Sequence, residues 1–180
     1  DKIKEDSKLA MQKLKSVGIH SIAMLTGDNE KTALDIAEKI GIDNVKYDLL
    51  PDQKVAAFEE LMKLSSPKGK VIFTGDGIND APVLARADIG IAMGSLGSDA
   101  AIESADVVIM TDEPSKIAEA IKIAKFTNKV VWQNIYFSLG IKGLVLILGA
   151  FGMANMWEAV FADVGVAVIA VLNATRISKI

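Results

Sequence analysis

Apolar residues are arranged in two ways along this chain. Up to about residue 125, short apolar runs alternate with charged stretches. From Val130 to Ile177 only Lys142, Glu158, Asp163 and Arg176 carry charge. In the first region "SIAMLTGDN" reads as a strand, Ile22 to Leu25, running into a loop. Glu30 to Ile40 then sets Ala33, Ile36, Ala37 and Ile40 at helical spacing, and Gly41 stops that helix. "NVKYDLL" is a weak strand, and Pro51 opens a further helix through about Leu64 from the favoured first-turn position. "KVIFTGDG" is a second strand-to-loop junction, "DIGIAM" and "DVVIM" are short buried strands, and Pro114 starts a helix that runs on toward the apolar third.

Strands alternating with helices imply an α/β fold, a parallel sheet with helices on both faces. In such sheets ligands sit at the carboxyl ends of the strands. Both TGD sequences fall at strand ends, which suggests one shared site.

The last third predicts two transmembrane helices, about 130–152 and 157–177, each near the length that crosses roughly 30 Å of hydrocarbon. The short "MANM" connection makes them an antiparallel hairpin. A buried hairpin of a soluble protein would usually keep a polar face, and this stretch has none. Lys116, Lys122, Lys125 and Lys129 precede the hairpin, Arg176 and Lys179 close it, and its turn carries no Lys or Arg. The positive-inside rule then places the strand–helix region in the cytoplasm. Trp132 and Trp157 fall where an aromatic belt would lie. The composition shift gives two expected domains, residues 1–125 and 126–180.

Composition sharpens this picture. The chain has 180 residues, is 51% hydrophobic, carries a formal net charge of −3, and contains no cysteine. The charge argues against nucleic acid as a partner, and disulfides and thiolate metal sites within the chain are excluded. The first residue is Asp and no signal-peptide pattern is present, so an excised or processed piece is expected. His20 precedes a strand without metal spacing around it and reads as a surface or loop residue.

"TGDN" (Thr26 to Asn29) alone is most often a turn. "TGDGINDAP" (Thr74 to Pro82) is richer, because Asp76 and Asp80 lie four apart around Gly77 and Asn79. Carboxylates crowded at a strand end repel unless they share a cation, and oxygen ligands suit Mg²⁺. An EF-hand beginning at Asp76 would need Glu where Ala87 stands, and a dinucleotide fingerprint from Gly75 would need Gly where Asp80 stands. "LLPDQK" puts Lys54 near a helix start. Together these describe a phosphate site: Thr26 offers a hydroxyl and local amides, Lys54 a positive charge, Asn79 a donor, and Asp76 a Mg²⁺ ligand. In phosphoryl transfer such positioning and charge neutralisation supply most of the catalysis.

"TGDN", "PDQK" and "TGDGINDAPVLARADIGIAMG" resemble the haloacid-dehalogenase-type phosphorylation domain of P-type ATPases, and the resemblance covers the whole chain. It implies that Asp76 binds catalytic Mg²⁺ with Asp80 beside it. It also implies that Thr26, Gly27, Lys54 and Asn79 hold the transferred phosphate, and that Asp28 lies toward ATP. The D-K-T-G-T sequence of the family's phosphorylated aspartate is absent. So are the actuator and nucleotide-binding domains and the earlier membrane helices, so no ATPase turnover is expected from this polypeptide by itself. A membrane-anchored phosphatase of the same type would need a nucleophilic Asp that the chain does not offer. A non-catalytic, pump-derived regulatory fragment is the other alternative.

Lys142 and Asp163 are costly in lipid, by at least about 2.5 kcal/mol each. Lys142 stands about 15 Å before the end of its helix and Asp163 about 9 Å after the start of the next. In an antiparallel hairpin their heights differ by about 6 Å, so they are expected to compensate each other, sheltered from lipid. A carboxylate can ligate a metal ion and an ammonium can take that ion's place, which makes the pair a candidate switch. Asn134 followed by seven residues and Lys142, then Asp163, Gly165 and, after seven more, Asn173, resembles the Zn²⁺/Cd²⁺/Pb²⁺-exporting branch of the heavy-metal P-type ATPases. That resemblance implies Asp163 as a ligand of the transported metal, Lys142 as its counter-charge, and a plasma-membrane location. Gly140, Gly143 and Gly165 would permit close helix approach, or merely reflect the high glycine content of membrane helices.

Overall fold

The computed structural model describes residues 6–66, 69–75, 78–94, 99–111 and 113–179. Its contacts divide the chain into two units, Asp1–Ala118 and Glu119–Ile180.

The first unit opens with α1 (Asp6–Ser16), then alternates β1 (Ala23–Leu25), α2 (Glu30–Ile40), β2 (Asn44–Lys46), α3 (Pro51–Leu64) and β3 (Ile72–Gly75). A 3₁₀ turn (Ile78–Asp80) leads into the short α4 (Ala81–Leu84), followed by β4 (Ile89–Met93), α5 (Asp99–Ser104) and β5 (Val107–Ile109). The bounds of α2 and α3 follow from local chemistry. Asn29 accepts the Thr32 amide at 3.0 Å as N-cap, and Gly41 ends α2 at φ 80°, a left-handed conformation that glycine adopts without a Cβ clash. At α3 the amide of Leu50 is satisfied by Gln53 Oε1 at 2.9 Å, with Pro51 next in sequence.

Among the described residues every strand pairing is parallel, but the ladders are two rather than the single sheet expected from the sequence. β1 pairs with β2, while β3, β4 and β5 form the other sheet with β4 central. Alternation in sequence reports that a strand is covered, not which neighbour it bonds. The central strand shows the near-continuous burial of a parallel strand covered on both faces, with Gly90 to Met93 all buried. Leu84, Ala92 and Ala101 form the core with Phe73, Ala105 and Val108 against them, and Phe58 meets Phe73 edge-on at 5.4 Å. Gly90 is required by this packing: a Cβ there would stand 2.7 Å from the Leu84 carbonyl oxygen.

The second unit is a helical hairpin. Its first helix, α6 (Ser115–Ala150, 36 residues), begins in the first unit and runs without interruption past residue 130, so the helix expected from Pro114 and the membrane helix are one. No Pro or Gly stands between Ser115 and Phe137 to break it, so a change of composition is not a change of conformation. Its first amide, Ser115 N, donates to Asp6 Oδ2 at 2.7 Å, which satisfies one orphan donor at the helix start. After a turn, α7 (Met156–Ala174) is capped by Asn155, whose side chain accepts from the Trp157 and Glu158 amides, and a 3₁₀ turn (Thr175–Lys179) follows. Both helices are long and apolar enough to span a membrane. Trp132 stacks on Tyr136 at 5.4 Å, and His20 is exposed outside any element, as expected.

Candidate phosphate site and intramembrane ion pair

The TGD loop after β1 is tightly bound to the chain after β2. Thr26 N donates to Lys46 O at 3.0 Å, Leu49 N to Thr26 O at 3.1 Å, and Asp48 N to Asp28 O at 2.9 Å. Asp48 carries this crossing at φ 54°. Gly27 faces the Leu49 carbonyl closely, since an added Cβ would stand 3.2 Å from it. The Thr26 hydroxyl is already oriented: it donates to Asp28 Oδ2 and accepts from the Asp28 amide, both at 3.1 Å. Asp28 therefore positions Thr26, a link that the spacing alone did not reveal.

At the end of β3 the geometry is tighter. A Cβ on Gly75 would lie 2.6 Å from both Cβ and Oδ2 of Asp80. The missing side chain is what lets the Asp80 carboxylate fold back over the strand end. That carboxylate is buried and meets Lys54 Nζ at 2.7 Å, with side chains only 18% and 12% exposed. Lys54 comes from the first turn of α3, 26 residues upstream, so the ammonium and the acid are brought together by the approach of α3 to the start of α4. Such a pair is worth having only with good geometry, because each charge has lost water. An ammonium has three donors and Asp80 takes one. Asn79 is exposed in the 3₁₀ turn. Asp76, the expected Mg²⁺ ligand, and Gly77 lie outside the described residues. Among the described residues no group of three His, Cys, Asp or Glu side chains converges to hold a metal.

In the hairpin Lys142 Nζ meets Asp163 Oδ1 at 2.9 Å, so the two charges compensate each other as their helical heights predict. They are not sheltered, however. Their side chains are 57% and 63% exposed within the hairpin, because two helices cannot enclose a residue that faces their outer groove. Ile141, Val145, Leu146, Ala159 and Ala162 flank the pair in a shallow, largely apolar cleft. The expected role of Gly140, Gly143 and Gly165 is not seen: nothing stands within 4 Å of a Cβ built on any of them. Missed in the sequence was a cross-helix amide contact, Asn173 Nδ2 to Asn134 Oδ1 at 2.9 Å. The paired spacing of those residues was its only trace.

Comparison with known proteins gives the family to which these features are similar. A family model of haloacid dehalogenase-like hydrolases matches residues 1–88. Across the whole chain, 60% of residues are identical to the cadmium, zinc and cobalt-transporting ATPase of Bacillus subtilis. The zinc-transporting ATPase of Synechocystis is 59% identical over 179 residues. The chain spans about a quarter of each, 26% and 25%. A zinc-transporting PIB-type ATPase solved in its E2.Pi state superposes with a TM-score of 0.89 at 37% identity, covering 98% of this chain and 28% of that one. A 3-deoxy-D-manno-octulosonate 8-phosphate phosphatase from Moraxella catarrhalis, at 23% identity and TM-score 0.55, shares the fold.

The fold and the TGD sequences at two strand ends define a haloacid-dehalogenase-like domain joined to an integral membrane hairpin. The chain belongs to the P-type ATPases, within the heavy-metal group whose members are named for zinc and cadmium transport.

Proposed function

We propose that this chain is part of an ATP-driven exporter of Zn²⁺, Cd²⁺ or Pb²⁺, supplying phosphate-handling groups and one side of the ion path. Residues 1–125 would form the remainder of its phosphorylation domain and 126–180 its hairpin. The phosphorylated aspartate would come from a part of the pump outside this chain. The observation that carries the reading is the Lys142–Asp163 contact at 2.9 Å, two costly charges facing each other within a hairpin of membrane length.

In the phosphorylation domain Lys54 stays on Asp80 and offers its remaining donors to phosphoryl oxygens. Thr26, oriented by Asp28, adds its hydroxyl, Gly27 exposes the local backbone, and Asn79 contributes an amide donor. Asp28 lies toward ATP. The donor chemistry suits Mg²⁺: Asp76 directly follows Gly75 at the strand end, and the Asp80 carboxylate stands over that glycine. Bound there, Mg²⁺ would offset charge on the phosphoryl group.

In the hairpin Asp163 binds the transported ion with ligands from earlier helices, and Lys142 is displaced. Once the ion leaves, the ammonium returns to the carboxylate and hinders back-binding. The lysines before the hairpin and Arg176 and Lys179 after it support a cytoplasmic phosphorylation domain, and the pump would lie in the plasma membrane. The actuator and nucleotide-binding domains, the earlier helices and lipid are its partners.

The test is phosphorylation of the full-length parent by labelled ATP, ion by ion. Zn²⁺, Cd²⁺ and Pb²⁺ should each support acid-stable incorporation and Cu⁺ should not. Incorporation independent of metal, or driven by Cu⁺ alone, contradicts the reading.

A further inference from the structure

The hairpin has little of its own to fix how far α6 is displaced along α7. Val130 and Val166 are its buried residues among those described, and its glycines make no close approach. In lipid there is no hydrophobic drive toward one register, because the lipid is as apolar as the side chains, which leaves packing and directional contacts to set it. The directional contacts lie elsewhere, in a chain of amides near the open end. Arg176 Nη1 donates to Asn173 Oδ1 at 2.9 Å, and Asn173 Nδ2 donates to Asn134 Oδ1 at 2.9 Å. Asn134 Nδ2 donates in turn to the Ala170 backbone carbonyl at 3.1 Å. Gln133 Oε1 takes a longer bond from Asn173 at 3.4 Å, and the Arg176 guanidinium lies over the Phe126 ring at 5.7 Å.

Both ends of each asparagine amide are therefore engaged, and one bond reaches α7 main chain, whose position no rotamer can change. The bonds also agree with the ion pair. From Asn134 to Lys142 is eight residues along α6, a rise of about 12 Å, and from Asn173 back to Asp163 is ten along α7, about 15 Å. Both contacts thus belong to one antiparallel register, whereas a slip by one turn would displace the charges by about 5.4 Å.

We propose that Asn134 and Asn173, supported by Gln133 and Arg176, form a register latch that seats Lys142 opposite Asp163. They are positioning residues: they touch neither the ion nor the phosphate and act through the charge pair. The link to metal rests on the proposed function above, but the latch itself does not.

Two measurements separate these claims. The chain has no cysteine, so Ile141→Cys with Ala162→Cys, two residues of the cleft around the ion pair, gives a clean disulfide probe in lipid nanodiscs. Cross-linking is expected in the parent. With Asn134→Leu or Asn173→Leu it should fall about tenfold and reappear one turn away, between Ile141→Cys and Ala159→Cys or Val166→Cys. Asn134→Gln, which keeps the amide, should stay near the parent and serves if a leucine variant fails to fold. In the full-length pump Asn173→Leu should raise the Zn²⁺ concentration for half-maximal phosphorylation about tenfold, the low end of outer-shell effects. Phosphorylation by inorganic phosphate without metal should be unchanged. An unaltered cross-link pattern in both leucine variants overturns the latch. A shifted pattern with unaltered zinc dependence overturns its coupling to the ion pair. A parent pump that no metal stimulates counts against the proposed function instead, and the cross-links still decide the latch.

Discussion

The two units of this chain invert each other's use of apolar surface. In the strand–helix unit Val83, Leu84, Ile91, Ala92 and Phe58 are at most 2% exposed, and the charges lie outside or in the Lys54–Asp80 pair. In the hairpin Leu139, Leu146, Phe151 and Phe161 are 64 to 77% exposed, and polar groups face one another between the helices. The first arrangement draws its stability from water, by removing apolar surface from it. The second gains nothing from that source once in lipid and depends on directional contacts to set its geometry. The same ion-pair chemistry therefore has different consequences. Lys54–Asp80 is enclosed by its own unit, whereas Lys142–Asp163 stays accessible to whatever packs on the outer groove.

The sharpest way to break this contrast is at the enclosed pair. Lys54→Ala leaves Asp80 as an unpaired buried charge. It should lower metal-dependent phosphorylation of the full-length pump by about 10²-fold or more, as loss of a preorganised electrostatic donor does. It should also destabilise the unit by about 3 kcal/mol, both read from labelled ATP and urea titration. Next comes the core. Leu84→Ala should cost about 2–5 kcal/mol, while Leu146→Ala, on an exposed hairpin face, should leave hairpin stability in detergent nearly unchanged.

Glycines sharpen the contrast further. Gly90→Ala drives a methyl against the Leu84 carbonyl and should cost about 1–3 kcal/mol. Gly165→Ala meets open space and should cost nothing within the hairpin, gaining up to about 1 kcal/mol of helix propensity. A large loss in the full-length pump at Gly165 would instead locate a helix packed there.

The smallest effect is at the surface. Asp88 accepts from Lys70 at 2.8 Å and from the Val71 amide at 2.9 Å, and these bonds hold its carboxyl below the ordinary carboxylate range. With the folded value depressed, its contribution is complete above the unfolded value near 3.9. It is lost as pH falls through the folded one. Asp88→Asn should therefore lower stability slightly at pH 7 and flatten the acid limb, the difference from the parent closing as pH falls through the folded value, as thermal melts across pH 2–7 would show.

What the sequence disclosed follows from how local each cause is. Gly41, Asn29 and Pro51 act within a turn of themselves, so the bounds of α2 and α3 were legible. The heights of Lys142 and Asp163 follow from helix rise and a short turn, and their contact was legible too. Strand pairing is not local, and the division into two ladders could not be read from alternation. The Lys54–Asp80 contact joins residues 26 apart and depends on where α3 packs. The helix from Pro114 reads as running on toward the membrane, and the start near residue 130 marks a change of composition within α6 rather than a breaker. The exposure of Lys142 was missed because a hairpin's register can be counted in residues, but its enclosure needs neighbours that this chain does not contain. α5 left no clear signal, since it has six residues and buries only Ala101, and α1 is not among the elements expected from the sequence.

The central claim is that the hairpin's carboxylate serves the ion while the other unit serves the phosphate. The most direct measurement compares two reactions in the full-length pump bearing Asp163→Asn: Zn²⁺-dependent phosphorylation by ATP, and metal-free phosphorylation by inorganic phosphate. Loss of the first with retention of the second is the predicted result. Undiminished zinc-dependent phosphorylation in this variant would contradict the account.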